Sequence, residues 1–418
     1  MEYKLKYVLD KYIRGPFGSA LKRGEMKEEG IPVYEQQNAI YDNRIFRYYI
    51  DEKKFSELKR FQVETGDLII SCSGTLGKVS IISKEDQKGI ISQALLILRV
   101  NKNKILPEYL YYFFKSSYGY NSLLSRSIGS VQVNLAKREI IEDINIYVPE
   151  IAIQKKVVKI LSDIDKKIKL NNEINDNLHK LSDELYKGWF IDYNYPNSNG
   201  KLKESSLGLI PEDWKVERLE NVAECQNGYA FYKEGYDEDG IMVIDLGNIN
   251  LNSTFIYTNA DKYIMPDRVK TDKFNKYRVY KNDLIMVMTD RKATMELLGK
   301  TGKIFEDKEF LLNQRMYRIR SKINTNYLYT ALNNDLVLSK LKSKALGSVQ
   351  KYVNTGHINE LDILIGTDEV MEKFSKMVDP IYAEIENRTI ENTRLEKLRD
   401  TLLPKLMNGE IDLDKIEI

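Results

Sequence analysis

Two kinds of apolar pattern alternate along the 418-residue chain. Short runs rich in Ile, Leu and Val, broken by glycine-containing turns, predict strands at Asp67–Ser71 (DLIIS), Val79–Ile82 (VSII) and Ala94–Val100 (ALLILRV). Similar runs return at Asp283–Met288 (DLIMVM), Gly302–Phe305 (GKIF) and Met316–Arg320 (MYRIR). Each set is followed by aromatic and leucine residues at helical spacing, PEYLYYFF at 107–114 and TNYLYTAL at 325–332, which predict one packed helix per globule. This Tyr/Phe stripe reads as core rather than as a base-stacking platform.

Longer stretches then switch to steps of three and four. From Glu150 to about Gly188 the apolar seam runs through Val157, Leu161, Ile164, Ile168, Ile174, Leu178, Leu181 and Leu185. A second seam runs through Phe374, Val378, Ile381, Ile385, Leu395, Leu398 and Leu402. Both predict long coiled-coil helices. Each seam turns polar at one level, Asn171 and Asn175 in the first and Arg388 and Asn392 in the second. A buried polar layer that fixes register and a locally solvated gap both fit that pattern. Pro380 predicts a break or kink, with Asp379 as an N-cap and Thr367–Val378 as a separate turn or short helix.

The two halves are copies. GSVQ occurs at 129 and at 347, and Tyr-Leu-Tyr precedes it by 20 residues both times. Gly30-Ile31-Pro32-Val33 matches Gly240-Ile241-Met242-Val243, Asp67-Leu68-Ile69 matches Asp283-Leu284-Ile285, and Gln93 and Arg99 match Gln314 and Arg320. The order never changes and the offsets stay between 210 and 221, so small loop insertions account for the differences. Two copies are too few for a solenoid. The expected fold is therefore α+β, two similar mixed α/β globules with two long antiparallel coiled-coil helices, duplicated about a pseudo-twofold.

Composition narrows the function. With 64 Lys and Arg against 62 Asp and Glu the net charge is +2, so any nucleic-acid binding must use local basic faces or a partner's surface. Two cysteines, Cys72 and Cys225, and two histidines, His179 and His357, cannot assemble a metal-ligand spacing, and all four read as structural. No apolar run approaches a membrane span and the N-terminus lacks a signal-type core, so the expected location is cytoplasmic. SGTLGKVS (73–80) misses the spacing of a phosphate loop and reads as a tight turn between strands. No nucleophile elbow, HExxH or methyltransferase motif occurs, and Asp67 and Asp283 read as turn residues at strand starts.

Five segments together resemble the specificity subunit of Type I restriction-modification systems. They are GIPVY (30–34), GDLIISCSGTLGKVSII (66–82), GSVQVNL (129–135), YVPEIAIQKKVVKILSDID (147–165) with its Pro149 and Gln154, and LEKLRDTLLPKLMNGEI (395–411). The likeness spans nearly the whole chain. It departs at ILIGTDEVMEKF (363–374), which lacks the Pro and Gln, and at MTDRKATMELLGKTGK (288–303), which stretches the glycine turn.

The resemblance implies a target-recognition domain at 1–149, a long spacer helix at 150–191, a linker at 192–206, a second target-recognition domain at 207–366, a C-terminal spacer helix at 367–408 and a tail at 409–418. It implies a subunit with no catalytic site and no cofactor of its own. Its partners would be double-stranded DNA, two methyltransferase (M) subunits and restriction (R) subunits, with S-adenosylmethionine, ATP and magnesium on those subunits and no membrane. The target would be split and asymmetric, one part per domain. A helix over 150–188 would span about 58 Å at ~1.5 Å per residue, longer than one DNA turn of about 34 Å, and could act as a spacer ruler.

Candidate DNA-binding residues are the polar loop positions, since Arg, Asn and Gln read base edges while Lys, Ser and backbone amides hold phosphates. In the first domain they are Ser73, Thr75, Lys78, Gln93, Arg126, Ser130 and Gln132. In the second they are Arg291, Lys292, Thr294, Gln314, Arg315, Ser348, Gln350 and Lys351. The competing reading is a duplicated coiled-coil assembly protein that binds no DNA.

Overall fold

The computed structural model describes residues 2–413 apart from 18–19, 125–134, 136–137, 259, 293 and 349. The chain forms two compact units, Met1–Ile168 with Arg394–Ile418, and Lys169–Thr393. Each unit therefore holds one globule and one part of each long helix, Ile151–Tyr186 and Asp368–Met407.

The first globule is built on a four-stranded antiparallel sheet in the spatial order Leu9–Arg14, Leu95–Val100, Leu68–Ser71, Val79–Ile81. Its central strands are apolar throughout because both faces are covered. Leu68, Ile70, Leu96 and Leu98 face the buried helix Pro107–Lys115 and the long-helix residues Val157 and Leu161. Ile69, Leu95 and Ile97 point the other way, onto a small sheet of Tyr49–Ile50, Ile31–Tyr34 and Ile90–Ile91. The second globule repeats this order with Ala223–Asn227, Met316–Ser321, Leu284–Val287 and Thr301–Lys303. Its small sheet gains a fourth strand, Arg278–Val279. The aromatic stripes are core, with Tyr109, Leu110, Tyr327 and Leu328 fully buried. Each helix of the stripe is followed by another, Ser117–Leu124 and Asp335–Ser343, which the sequence pattern did not separate.

Asp67 and Asp283 do more than start strands. Each accepts a turn N–H, from Glu64 and Tyr280, and each forms a two-pronged pair with the matching arginine. Arg99 Nε and Nη2 lie 2.8 Å from Asp67, and Arg320 Nε and Nη2 lie 2.7 and 2.8 Å from Asp283. Both carboxylates are nearly inaccessible, so the pair satisfies a charge that would otherwise be costly to bury.

The long helices pair antiparallel within each unit, as Asp165 with Arg399 and the clustering of Val157 and Leu161 with Leu403, Leu406 and Met407 show in one, and Asn171 with Asn392 and Ser182 with Tyr382 in the other. Val157, Leu161, Ile168 and Ile385 are buried in the seam, and Ile164, Leu178, Leu185, Ile381, Leu395 and Leu402 are half-buried. Leu181 and Leu398 are not seam residues, being 45% and 47% exposed. The seam instead passes through their polar neighbours Ser182 and Arg399, which have hydrogen-bond partners across the pair. An apolar count alone steps over such positions.

The polar layer is buried and bonded. Asn171 Nδ2 donates to Glu391 and Asn392 at 2.8 Å, Arg388 donates to Asn171, and Asn392 donates to Asn172. It is a register-fixing layer and not a solvated gap.

Pro380 does not break its helix, which is continuous across it. Its ring and Lys376 lie on the exposed side, where water can take the carbonyl left without an N–H, while Phe374, Val378, Tyr382 and Ile385 hold the opposite side in the core. Asp379 is not an N-cap either; its carboxylate accepts from Asn324 and Asn326. The stretch 192–206 also has more structure than a linker. Leu202–Ser205 forms a hairpin with Gly208–Pro211, and Tyr193 and Tyr195 pack on Trp214 with ring centroids at 5.8 and 4.8 Å.

Each globule is fastened to its helix pair at the same three repeat positions, with different chemistry. In the first unit Tyr112 donates to Asp165 at 2.9 Å and Arg399 pairs with the same carboxylate at 3.0 Å. The matching positions in the second unit are Thr330, Tyr382 and Ser182, joined by neutral hydroxyl contacts of 2.8 and 3.0 Å. Asp165→Ala leaves a hydroxyl and a guanidinium without their acceptor, and should cost about 1–3 kcal/mol in chemical denaturation. Asp165→Asn, which keeps an acceptor, should cost less.

Candidate nucleic-acid interface

One backbone junction organises the same end of each globule. In the first, Cys72 N–H donates to the Ala94 carbonyl at 2.8 Å and the Cys72 carbonyl accepts from Leu135 N–H at 3.1 Å. In the second, Met288 N–H donates to the Arg315 carbonyl at 3.0 Å and the Met288 carbonyl accepts from Val353 N–H at 3.0 Å. Three segments are thereby tied together: the glycine turn, the turn before the third strand, and the residues that follow GSVQ, Leu135 in the first globule and Val353 in the second.

A fourth segment arrives through a glycine. Gly15 N–H donates to the Leu95 carbonyl and Gly228 N–H to that of Met316. A Cβ at either would stand about 2 Å from a carbonyl oxygen, 2.0 Å from Ser92 and 1.8 Å from Asn313, so only glycine permits the approach. The residues after each glycine are thus carried to the loop end.

The structure gathers the second-domain candidates. Arg291, Lys292, Gln314 and Arg315 line one cleft of about 590 Å³. Thr294 is exposed on the same loop as Arg291 and Lys292, and Lys292 forms an ion pair with Glu296. Lys351 pairs with Asp290 and Tyr352 with Thr289 across a short two-stranded ladder, which brings the GSVQ loop beside the cleft. Ser348 is exposed. Gln350 is half-buried, and its side-chain nitrogen finds no acceptor among the described residues. Gly347 has φ +90°, and the Leu346 and Tyr352 backbones bond to each other at the two ends of this segment.

In the first domain Ser73, Thr75 and Lys78 share the tight turn between Leu68–Ser71 and Val79–Ile81, where Gly74 and Gly77 take φ of +64° and +71°. Gln36 holds that turn by donating to the Ser73 and Thr75 carbonyls. Lys78 Nζ lies 4.8 Å from the centroid of the Tyr120 ring. Gln93 is exposed next to the junction residue Ala94. Arg126, Ser130 and Gln132 lie outside the described residues.

Sequence reading missed part of the second cleft. Tyr232, Tyr236 and Lys262 also line it, with Lys262 Nζ 4.9 Å from the Tyr236 ring centroid and Tyr232 65% exposed. They come from a stretch with no close match in the other half, so a search along the repeat passes over them. Burial pushes the Cys72 thiol up to about 12 and the Cys225 thiol up to about 11. His179 packs edge-on to Tyr329 and Tyr382, and burial lowers its pKa to about 4.

The sequence pattern of the Type I restriction modification DNA specificity domain matches residues 15–180 and 211–396, once per half. The chain belongs to this family. It carries two copies of the specificity domain, and the reading of an assembly protein without DNA is set aside. Among its relatives, the MjaVIII specificity subunit of Methanocaldococcus jannaschii is 26% identical over 408 residues, covering 94% of this chain and 91% of that one. The HindI specificity subunit of Haemophilus influenzae is 23% identical over 415 residues, covering 84% and 87%. The crystal structure of the S subunit from M. genitalium superposes with a TM-score of 0.54 at 14% identity, covering 97% of this chain and 96% of the other, and shares the fold. No described helix is long and apolar enough to cross a membrane.

Gly347→Ala places a side chain where φ is positive and where a Cβ would meet the Gln350 carbonyl at 2.1 Å. It should cost about 1 kcal/mol or more in thermal unfolding, whereas Ser348→Ala should leave stability unchanged.

Proposed function

We propose that this chain reads a split, asymmetric duplex sequence, one part per recognition domain, and carries two methyltransferase subunits and the restriction subunits of a Type I complex. The observation that supports this most directly is the duplicated backbone junction. It ties the glycine turn to the turn before the third strand and to the residues after GSVQ in each globule. Side chains around the shared Gln93/Gln314 and GSVQ positions differ, Ala94 against Arg315 and Ser73-Gly74-Thr75 against Thr289-Asp290-Arg291.

A matching backbone junction flanked by partly different polar groups suits two different base sequences, because base identity is read by side-chain donors and acceptors while the frame only positions them. In the second domain Gln314 and Arg315 present the amide and guanidinium groups that recognise adenine and guanine edges, and Arg291, Lys292 and Lys351 supply phosphate contacts. In the first, Gln93 and Gln132 are the proposed amide readers and Lys78 and Arg126 the cations, with Ser73, Thr75 and Ser130 as further phosphate contacts. Catalysis belongs to the partners: S-adenosylmethionine serves the methyltransferase subunits, and ATP and magnesium serve the restriction subunits. The complex works in the cytoplasm.

Sequencing of methylated adenines in cells that express this chain with its methyltransferase partner tests the reading. It should reveal one motif of two short unlike parts separated by unread bases, absent when this chain is deleted. A continuous motif, or methylation that persists without the chain, would overturn it.

A further inference from the structure

A second cleft, of about 510 Å³, lies on the first globule between the strand Leu9–Arg14 and the turn Lys59–Phe61. None of the loop candidates lines it. Its walls carry Lys11, Arg14, Lys59, Arg60 and Arg99 against a single acid, Glu64. Arg99 is already engaged by Asp67 and Glu64, which leaves Lys11, Lys59 and Arg60 exposed and without an acidic partner among the described residues. Arg14 Nε is buried and finds no acceptor among them.

The second globule repeats this surface only in part: exposed Lys276 stands at the place of Arg60, but Asn275 replaces Lys59 and Glu224 replaces Lys11. Lys11 stands opposite Arg99 across the strand pair, whereas Glu224 stands opposite Arg320 at the matching place. Glu224 neutralises that site by pairing with Arg318 at 2.6 Å. Like charges facing each other across a sheet are unfavourable, so Lys11 opposite Arg99 is not there for stability. The cleft also has a direction. Its upper end is Gly15 and Phe17, the segment that Gly15 docks on the turn carrying Gln93. Phe17 is 67% exposed there.

We infer that this cleft is a phosphate-binding track, which grips the duplex backbone beside the part of the target read by the first globule. The inference rests on the proposed function and adds to it an asymmetry, in which the first domain contributes more sequence-independent affinity than the second. Cations that neutralise phosphates release counterions, so their contribution appears in the salt dependence of binding.

The test uses the chain assembled with its methyltransferase partner and a labelled duplex carrying the mapped motif. Binding of wild type and of a Lys11→Gln, Lys59→Gln, Arg60→Gln variant is titrated across salt concentrations. The variant should bind motif and scrambled duplex alike roughly tenfold or more weakly, with the slope of log K against log salt shallower by about 2 to 3, at ~0.9 for each phosphate no longer neutralised. Its methylation motif should be unchanged, and a variant with Lys11→Arg and Lys59→Arg should keep the wild-type slope. An unchanged slope in the triple variant, while wild type still selects its motif, would overturn the track. Wild type that shows no sequence preference would remove the functional reading itself, and the track with it.

Discussion

A pair of backbone hydrogen bonds through one residue, Cys72 in the first globule and Met288 in the second, is the constraint on which the loop ends of the two globules depend. It ties three segments that are distant in sequence without using any side chain, so the side chains remain free to vary. A buried backbone N–H or C=O without a partner is costly, and these bonds satisfy groups that the end of the sheet would otherwise leave open. The glycines Gly15 and Gly228 add a fourth segment by the same device, a close approach that no Cβ would allow. The scaffold is thus preserved by main-chain geometry, and diversity falls on what projects from it.

Where the halves must attach to their helices, the same division appears in another form. The positions are shared between the copies but their chemistry is not: Tyr112, Asp165 and Arg399 in one unit, Thr330, Tyr382 and Ser182 in the other. A charged arrangement and a neutral one of the same geometry do not interchange one residue at a time, since a lone substitution leaves a buried polar group unpaired. Inside the helix pair, the asparagine-rich layer around Asn171 and Asn392 plays the corresponding part by penalising slipped registers. Specific polar contacts set alignment, and the apolar core supplies the bulk of the stability.

Much of this was legible in the residues. Strand runs, the aromatic helices, the two long seams and the duplication all follow from apolar periodicity and repeated short motifs, because burial dictates those patterns. What escaped was governed by polar groups in buried places. Ser182 and Arg399 occupy seam positions that an apolar count assigns to Leu181 and Leu398. Pro380 stays inside a helix because tertiary packing on one face outweighs a missing hydrogen bond on the other. Asp67 and Asp283 look like turn residues in one dimension, and their arginine partners, more than 30 residues away, appear only in three. The cleft residues Tyr232, Tyr236 and Lys262 escaped for a different reason: they sit where the copies diverge.

The central claim is that each loop end reads its own part of the target independently. The most direct measurement is the methylated-adenine motif of a variant altered only at Gln314 and Arg315, both replaced by alanine, beside that of the wild type. The account predicts that one part of the split motif relaxes, as a loss of about 1–3 kcal/mol of discrimination per reader implies, while the other part and the spacing between them are unchanged. Relaxation of both parts together, or a motif identical to wild type in both, would contradict it.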